Sequence, residues 1–392
     1  MRLKSKPADF KVDELLREDY LVAKGEHRVY LVDKRKFTSL EAARVLSDLA
    51  GVPVGEVAMA GLKDRQAVTQ QYMSVHRGKP VRHKVEGLEI QPVGFGASEL
   101  TSGDSLGNAF KIVVRDLSDR EVHRLRVSMQ SVRDHGLPNY FDEQRFGNLR
   151  HNQGWIVRDL IRSGPEHALK RLLTAVSDHD DQRNKSFKSA LHRHWGDWSA
   201  CRDIAGRFRQ HHSVFDHLKR GDPPAGAFRR VASRVRLIHL YAWQSHLWNR
   251  ALATHLDRVC GEGERFTLRV REGKLVFPKD VVPVPDAWGG ALPLPGEQLA
   301  GVALEDQRAL FTAALKPHKL TPQELVTGKV PGLTLKPELR PVVVRPEELR
   351  VRPSEPDPMH PGKQLVRIAF RLPRGSYATL VVRRLVGPPR PS

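Results

Sequence analysis

The densest group of chemically active side chains lies in the segment AGLKDRQAVTQQ, residues 60–71. Asp64 follows a glycine turn and stands between Lys63 and Arg65. Catalytic groups often sit on loops over a rigid scaffold. The two flanking cations are predicted to keep Asp64 ionised, as a nucleophile or a base requires. An ordinary surface loop with a screened ion pair has the same pattern, and the pattern alone favours that simpler interpretation.

A second group lies in LPNYFDEQRFG, residues 137–147, where aromatic rings alternate with an amide and an arginine. Aromatic faces can stack on a nucleobase, and an Asn or Gln amide can recognise its edge. Core aromatics beside a polar turn would give the same pattern. These residues alone do not decide between the two interpretations.

The histidines and cysteines do not favour a metal centre. No HExxH motif and no CxxC pair is present, and Cys201 and Cys260 are far apart, so a zinc site or a disulfide framework is not expected. Nucleotide-binding glycine loops and the GxSxG elbow of hydrolases are also absent. Several histidines are predicted to face solvent or RNA: His192, His194, His211, His212 and His217.

The charge of the chain points to a polyanionic partner. Its 392 residues include 65 Lys and Arg against 45 Asp and Glu, a formal net charge of +20. Each phosphate contact releases a counterion and adds affinity, so nucleic acid is the leading candidate. The start MRLKSKPADF lacks an apolar signal segment, and no run is long enough to span a membrane. A cytoplasmic protein is therefore predicted.

The elements around the first group follow an α/β pattern. Residues 26–32 predict a strand, and a short strand near residues 57–59 precedes the Asp64 loop. Between them, Thr38 and Glu41 have the spacing of a capping box that begins a helix. This helix is predicted to end at Gly51 and to bury one stripe: Leu40, Ala43, Leu46, Leu49 and Ala50.

The character of the sequence changes near Gly154. Residues 155–235 predict basic helical segments, residues 278–296 predict irregular loops, and residues 110–115 and 364–370 predict strands. The strongest helical pattern covers residues 231–259, with Gln244 and Ser245 near the edge of its apolar face. That face comprises Leu237, Leu240, Tyr241, Leu247, Trp248, Ala251 and Leu252. A short helical face (Ala378, Val381, Val382, Leu385) follows a turn at residues 373–375.

Five segments together resemble the TruD family of tRNA pseudouridine synthases. They are AGLKDRQAVTQQ (60–71), GNAFKIVVRD (107–116), LPNYFDEQRFG (137–147), the YxxQSxLWN pattern (241–249) and LPRGSYAT (372–379), in the order of the family. The resemblance implies an α/β (α+β) fold, namely the pseudouridine synthase catalytic fold with a mixed sheet and a family-specific α/β insertion (TRUD) domain. It places the catalytic domain at residues 1–159 and 339–392 and the insertion at 160–338.

The resemblance also implies roles for individual residues. Asp64 matches the catalytic aspartate, and Lys4 matches a lysine that can pair with it. Four positions match residues around the target uridine: Phe10, Asn139, Phe141 and Tyr377. Position 142 is Asp where the family often has Gly.

The implied substrate is tRNA, at the uridine of position thirteen in the D-arm. Because the reaction is an isomerisation, no cofactor or metal is expected. The chain is also expected to be a monomer. Two other classes of function remain to be weighed. A protein of the same fold that remodels tRNA without chemistry is disfavoured by the intact Asp64 and Asn139. A metal-dependent nuclease is disfavoured because no clustered ligand set is present.

Overall fold

The computed structural model describes residues 1–297, 299–302, 304–325, 333–335 and 338–388. The chain divides into two compact units. The first unit contains Met1–Leu137 and Val344–Ser392, and the second contains Pro138–Val343. The domain boundaries implied by the resemblance lie between residues 159 and 160 and between residues 338 and 339. They stay a prediction.

The strands and helices are numbered in chain order. The strands are β1 Phe10–Leu16, β2 Leu21–Val22, β3 His27–Arg35, β4 Val57–Ala58, β5 Val68–His76, β6 His83–Val85, β7 Leu88–Gly96, β8 Ser105–Leu117, β9 Leu137–Pro138, β10 Arg265–Val270, β11 Gly273–Pro278, β12 Ala291–Pro293, β13 Leu339–Pro341, β14 Val343–Val344, β15 Glu347–Val351, β16 Glu355–Pro356 and β17 Gln364–Pro373. The helices are α1 Ser39–Ala50, α2 Asp119–His135, α3 Gly147–Arg150, α4 Ile156–Ser163, α5 Pro165–Thr174, α6 Gln182–Arg193, α7 Trp198–Ala205, α8 His212–Lys219, α9 Pro224–Arg229, α10 Ser233–Val259, α11 Glu305–Leu315 and α12 Ala378–Val386.

One large mixed sheet organises the first unit. Its strand order is β15-β17-β8-β1-β5-β3-β7-β2, with β16 on β17, β4 on β5 and β6 on β7. The β1–β5 pair is parallel, and the neighbouring β1–β8 and β3–β5 pairs are antiparallel. The predicted strands at residues 26–32, 57–59, 110–115 and 364–370 lie within β3, near β4, within β8 and within β17.

Helix α1 begins at the predicted capping box. The Thr38 hydroxyl accepts the amide of Glu41 at 3.1 Å, and the Glu41 carboxylate accepts the amide of Thr38 at 2.6 Å. The predicted apolar stripe was wrong at two positions, because Leu40 is 42% exposed and Leu49 is 44% exposed. The helix instead packs a narrow face of small residues against the sheet, and Leu46 is its largest buried residue. Alanines on this face let the helix lie close to the strands.

A buried ion cluster anchors the chain before β1. The Arg115 guanidinium donates to both Asp9 oxygens at 2.9 Å and to Asp357 at 2.9 Å. The main chain of Arg115 also pairs with that of Arg2, at 2.8 and 3.0 Å. Ion pairs and hydrogen bonds of this kind offset the cost of burying these charges. The cluster therefore fixes the segment that carries Lys4 and leads into Phe10.

Helices dominate the second unit, as the sequence predicts for residues 155–235. Its longest helix is α10, in which Trp243, Leu247 and Trp248 are fully buried. Two residues of the predicted face point outward instead, since Leu237 is 37% exposed and Tyr241 is 46% exposed. The apolar face begins later in the helix than the pattern indicated.

The predictions for the C-terminal segment are confirmed. Strand β17 turns at residues 373–375 into α12, and all four predicted apolar positions of that helix are buried. The mixed α/β fold class is confirmed as well. Among the described residues, no helix is both long and apolar enough to cross a membrane.

Candidate active site

The Asp64 loop, residues 61–66, joins β4 to β5 and is held by neutral side chains from the first unit. The Ser39 hydroxyl accepts the main-chain amide of Lys63 at 2.9 Å and donates to the Gln71 side chain at 2.6 Å. The Gln71 amide nitrogen reaches the Gly61 carbonyl at 3.4 Å. Both Ser39 and Gln71 are buried, so this part of the loop rests on the start of α1 and on β5.

The Asp64 side chain remains partly open, with 34% of its surface exposed. One carboxylate oxygen accepts the Lys4 ammonium at 2.5 Å, and the other accepts the main-chain amide of Gln66 at 2.9 Å. Burial raises the pKa of Asp64, but the hydrogen bonds from Lys4 and Gln66 and the Lys4 charge outweigh that effect. The pKa of Asp64 therefore lies below its ordinary value, and the carboxylate is ionised at neutral pH.

Lys4 lies in an unusual backbone conformation. Its φ is 56°, in the left-handed region that a lysine adopts only at a cost of about 1–2 kcal/mol. The neighbouring Arg2–Arg115 main-chain pairing holds the segment in place. The Lys4 ammonium also lies 4.6 Å from the centre of the Phe10 ring. The structure thus brings Lys4, Phe10 and Asp64 together, as the resemblance implies.

The two cations next to Asp64 in sequence do not pair with it, which corrects the prediction made from their order. Lys63 donates to Glu14 at 2.6 Å and to Asn108 at 2.7 Å. Arg65 donates through Nε to the carbonyl of Lys36 at 2.8 Å. Neighbouring side chains on an extended loop point in different directions, so adjacency in sequence does not produce an ion pair.

Phe10 and Tyr377 occupy the ends of elements in the first unit. Phe10 is the first residue of β1, is 6% exposed and packs edge-on against Phe110 at 6.2 Å. Tyr377 is the residue immediately before α12 and is half-buried. Whether either ring contacts a substrate base stays a prediction.

Asn139 and Phe141 lie in the second unit and are held by Arg340. Asn139 donates to the Pro341 carbonyl at 3.1 Å, and its side-chain oxygen accepts Arg340 at 2.9 Å. The Arg340 guanidinium also lies 3.8 Å from the centre of the Phe141 ring. Cation–π contacts of this kind are favourable when water is excluded. Both predicted base-binding residues are nearly buried, with Asn139 6% exposed and Phe141 4% exposed.

Helix α10 fixes the backbone of this segment through the end of the YxxQSxLWN pattern. Asn249 accepts the Phe141 amide at 2.9 Å and donates to the Phe141 carbonyl at 2.8 Å. Trp248 packs edge-on against the Phe141 ring at 5.8 Å. Gln244 is 3% exposed and donates to the Pro295 carbonyl at 3.0 Å, so it lies inside the core and not at its edge. The segment and the helix pattern are therefore parts of one arrangement.

The backbone at position 142, where the resemblance implies that Gly is common, accommodates Asp. Its φ of −96° and ψ of 171° are extended backbone that any residue adopts. Its carbonyl accepts the Arg145 amide at 2.8 Å. An Asp at this position therefore does not strain the chain.

Two of the histidines predicted to face solvent or RNA are packed instead. His211 stacks on Phe187 at 5.5 Å, and His217 lies 3.0 Å from the Pro223 carbonyl. In the part of the chain that the structure describes, no group of three or more His, Cys, Asp or Glu side chains is arranged to hold a metal ion.

Comparison with known proteins identifies the family. The sequence model described as "tRNA pseudouridine synthase D (TruD)" matches residues 1–385. The chain belongs to the TruD family. A relative named tRNA pseudouridine synthase D from Aquifex aeolicus is 30% identical over 396 residues, and the match covers 98% of each chain. Another TruD relative of that name, from Leptospira interrogans, is 27% identical and covers 98% of this chain and 95% of its own.

A crystal structure supports the fold assignment. The putative tRNA pseudouridine synthase D of Methanosarcina mazei matches with a TM-score of 0.70 at 22% sequence identity. The match covers 98% of this chain and 93% of that one. The TruD fold therefore extends over both compact units.

Three residues that hold the two motifs were not predicted from the sequence: Lys34, Asn249 and Arg340. A signal for Lys34 was available, since every second residue of a strand faces the same side. Tyr30 and Val32 are fully buried, so Lys34 continues the buried face of β3. For Asn249 a signal existed, since it is the last residue of the YxxQSxLWN pattern, although the pattern did not name Phe141 as its partner. For Arg340 no signal existed, because it binds Asn139 across 201 residues of chain.

Proposed function

We propose that this chain converts the uridine at position thirteen of tRNA, in the D-arm, to pseudouridine, with Asp64 as the catalytic carboxylate. Membership of the TruD family supports the reaction class. The observation that carries the catalytic assignment is the state of Asp64. It is ionised, one-third exposed and held by Lys4 at 2.5 Å. A carboxylate in that state can act as a nucleophile or a base.

The reaction requires the target uridine to leave the base stack first. Asp64 then assists cleavage of the bond between ribose C1′ and uracil N1. The uracil turns, C5 forms the new bond to C1′, the C5 proton is lost and N1 takes up a proton. Substrate and product have the same atoms, so the chemistry is balanced without a co-substrate.

The remaining residues are proposed to bind the substrate. Phe10, Asn139, Phe141 and Tyr377 are assigned to the target base by their match to the family pattern. Exposed arginines of the second unit, such as Arg207 and Arg209, are proposed to contact tRNA phosphates. The chain is proposed to act as a monomer in the cytoplasm and without a cofactor.

The decisive experiment replaces Asp64 by Asn, which keeps the shape and removes the charge. Tritium release from C5-labelled tRNA should be abolished, while filter binding of the same tRNA should be largely unchanged. The matched variant is Asp142→Asn, which removes the carboxylate at the family-atypical position of the second motif. Retained tritium release in Asp64→Asn, or its loss only in Asp142→Asn, would overturn the assignment. Loss of tRNA binding together with activity would indicate a structural role for Asp64.

The position of the target is tested separately. Pseudouridines should be mapped in cellular RNA from strains with and without this protein. The signal at position thirteen of the D-arm should depend on the protein. Dependence at another uridine would keep the reaction and change the substrate.

A further inference from the structure

A buried lysine lies under the Asp64 loop. Lys34 is the next-to-last residue of β3 and is 2% exposed. Its ammonium nitrogen lies 3.0 Å from the carbonyl of Phe37, 3.3 Å from that of Lys63 and 3.2 Å from that of Asp64. An ammonium has three protons to donate, so these carbonyls match its donors in number.

Burial of the Lys34 ammonium is costly, which indicates that a lysine has a role at this position. Removing an ammonium from water carries a penalty of several kcal/mol, and a hydrophobic residue on β3 would avoid it. Two of the three carbonyls belong to the peptide units of Lys63 and Asp64. The strand, whose register with β5 and β7 is fixed, is thereby connected to the backbone of the residue that presents the carboxylate.

The Lys34 contacts complement the neutral ones. Ser39 binds the amide of Lys63, and Gln71 reaches the carbonyl of Gly61. Neither contacts the Asp64 carbonyl, which Lys34 does. Hydrogen bonds from charged donors are about twice as strong as neutral ones. Among the contacts that the structure describes, Lys34 is the side chain that binds the Asp64 carbonyl.

We propose that Lys34 is a positioning residue for catalysis, whose buried ammonium holds the backbone of residues 63–64 and favours the ionised Asp64 carboxylate. This inference rests on the proposed catalytic role of Asp64. Lys34 acts through Asp64 and is not assigned any contact with substrate.

The electrostatics gives the inference a measurable signature. Burial lowers the pKa of Lys34 to about 8; the charge of Asp64 raises it, that of Lys63 lowers it and that of Glu41 raises it. Above this pH the Lys34 amine is neutral, so it binds the three carbonyls without its charge and with one proton fewer. Lys34 also lowers the pKa of Asp64, although burial and the Lys4 contact affect that pKa more. Activity should therefore fall as the pH rises through about 8.

The test is Lys34→Met, with kcat and KM measured by tritium release from about pH 5 to about pH 10. At neutral pH, kcat should fall about 10- to 100-fold, because a small displacement of a reacting group costs that much. The KM for tRNA should stay within about twofold, since Lys34 is not assigned any contact with the bound tRNA. The alkaline limb near pH 8 should disappear, and the acid limb should move to higher pH as the Asp64 pKa rises.

The matched control is Val32→Ala. Val32 lies on the same face of β3 and is fully buried, but it packs in the apolar core beside α1. It should lose stability while both pH limbs stay in place. If Lys34→Met behaves like Val32→Ala, or like the wild-type protein, the inference is wrong.

A second variant covers the case in which Lys34→Met does not fold. Lys34→Arg retains the charge at all accessible pH values, so its alkaline limb should lie well above that of the wild-type protein. A wild-type profile without a limb near pH 8, unchanged in Lys34→Arg, would overturn the inference. The parallel Asp64→Asn measurement separates the two claims. If that variant stays active, the proposed function fails, whereas an inactive Asp64→Asn with unaffected Lys34 variants removes only the role of Lys34.

Discussion

The two motif regions of this protein, one in each compact unit, are held by different kinds of interaction. In the first unit, charged groups meet at residue 64, where Lys4 binds the carboxylate and Lys34 binds the main chain. In the second unit, Asn249 binds the backbone of Phe141 and Arg340 covers its ring. The first arrangement depends on protonation states, and the second does not involve a carboxylate–lysine pair.

This difference predicts two classes of mutational effect. Changes around Asp64 should alter both the rate and its pH dependence, because they shift the pKa of the carboxylate. Changes around Phe141 should alter the rate at every pH by the same factor. The following variants test whether the two regions separate in this way, from the largest expected effect on the chemistry to the smallest.

Lys4→Met should lower kcat about 100-fold, because a charge-assisted hydrogen bond to Asp64 is lost. Lys4 lowers the pKa of Asp64, so its removal should raise that pKa and move the acid limb of kcat/KM to higher pH. Activity is lost as the pH falls through the Asp64 pKa, so a higher pKa moves this loss of activity to higher pH. Tritium release across the pH range measures both effects. An unchanged acid limb would show that Lys4 does not control the ionisation of Asp64.

Phe141→Ala should lower kcat/KM about 10- to 100-fold, since stacking of a base on an aromatic ring is worth about 1–3 kcal/mol. The factor should be the same at all pH values. Phe266→Ala is the control. It also removes an aromatic contact in the second unit, since the Phe266 ring stacks on Phe277 at 5.4 Å. Equal losses in both variants would mean that the effect comes from folding and not from binding of the base by Phe141. Asn139→Ala should resemble Phe141→Ala.

Asn249→Ala should lower kcat/KM about tenfold and the free energy of unfolding by about 1–3 kcal/mol. It leaves a buried amide and a buried carbonyl of Phe141 without the Asn249 side chain. Asn249→Asp is a second comparison, because it keeps an acceptor for the Phe141 amide but places a buried carboxylate against the Phe141 carbonyl. Denaturant unfolding and tritium release should therefore show a loss at least as large as that of Asn249→Ala. Wild-type stability and rate in Asn249→Ala would mean that these hydrogen bonds are not what positions the segment.

Reversing two charges in the second unit should leave the chemistry almost unchanged. Arg207→Glu with Arg209→Glu should weaken tRNA binding, and the slope of log affinity against log salt should become shallower by about 1–2. Single-turnover rates at saturating tRNA should stay near the wild-type value. Arg82→Glu with Lys84→Glu makes the same change in net charge in the first unit. Equal losses of affinity in both double variants would mean that total charge matters and not its location.

The sequence by itself determined several elements and the family. Periodicity and capping chemistry act within a few residues, so the strands at residues 26–32, 57–59, 110–115 and 364–370, the Thr38 capping box and the helix that begins at Ala378 were predictable. The resemblance named Lys4 as the partner of Asp64, although the local pattern had suggested Lys63 and Arg65.

Only the tertiary structure decided which side chains meet. Lys34 reaches the Asp64 carbonyl from a strand 30 residues earlier, and Asn249 binds Phe141 across 108 residues. Such contacts depend on strand register and helix packing, which the order of residues does not show locally. The same reason explains the exposed Leu40 and Leu49, since the face of a helix that becomes buried is chosen by the surface it packs against.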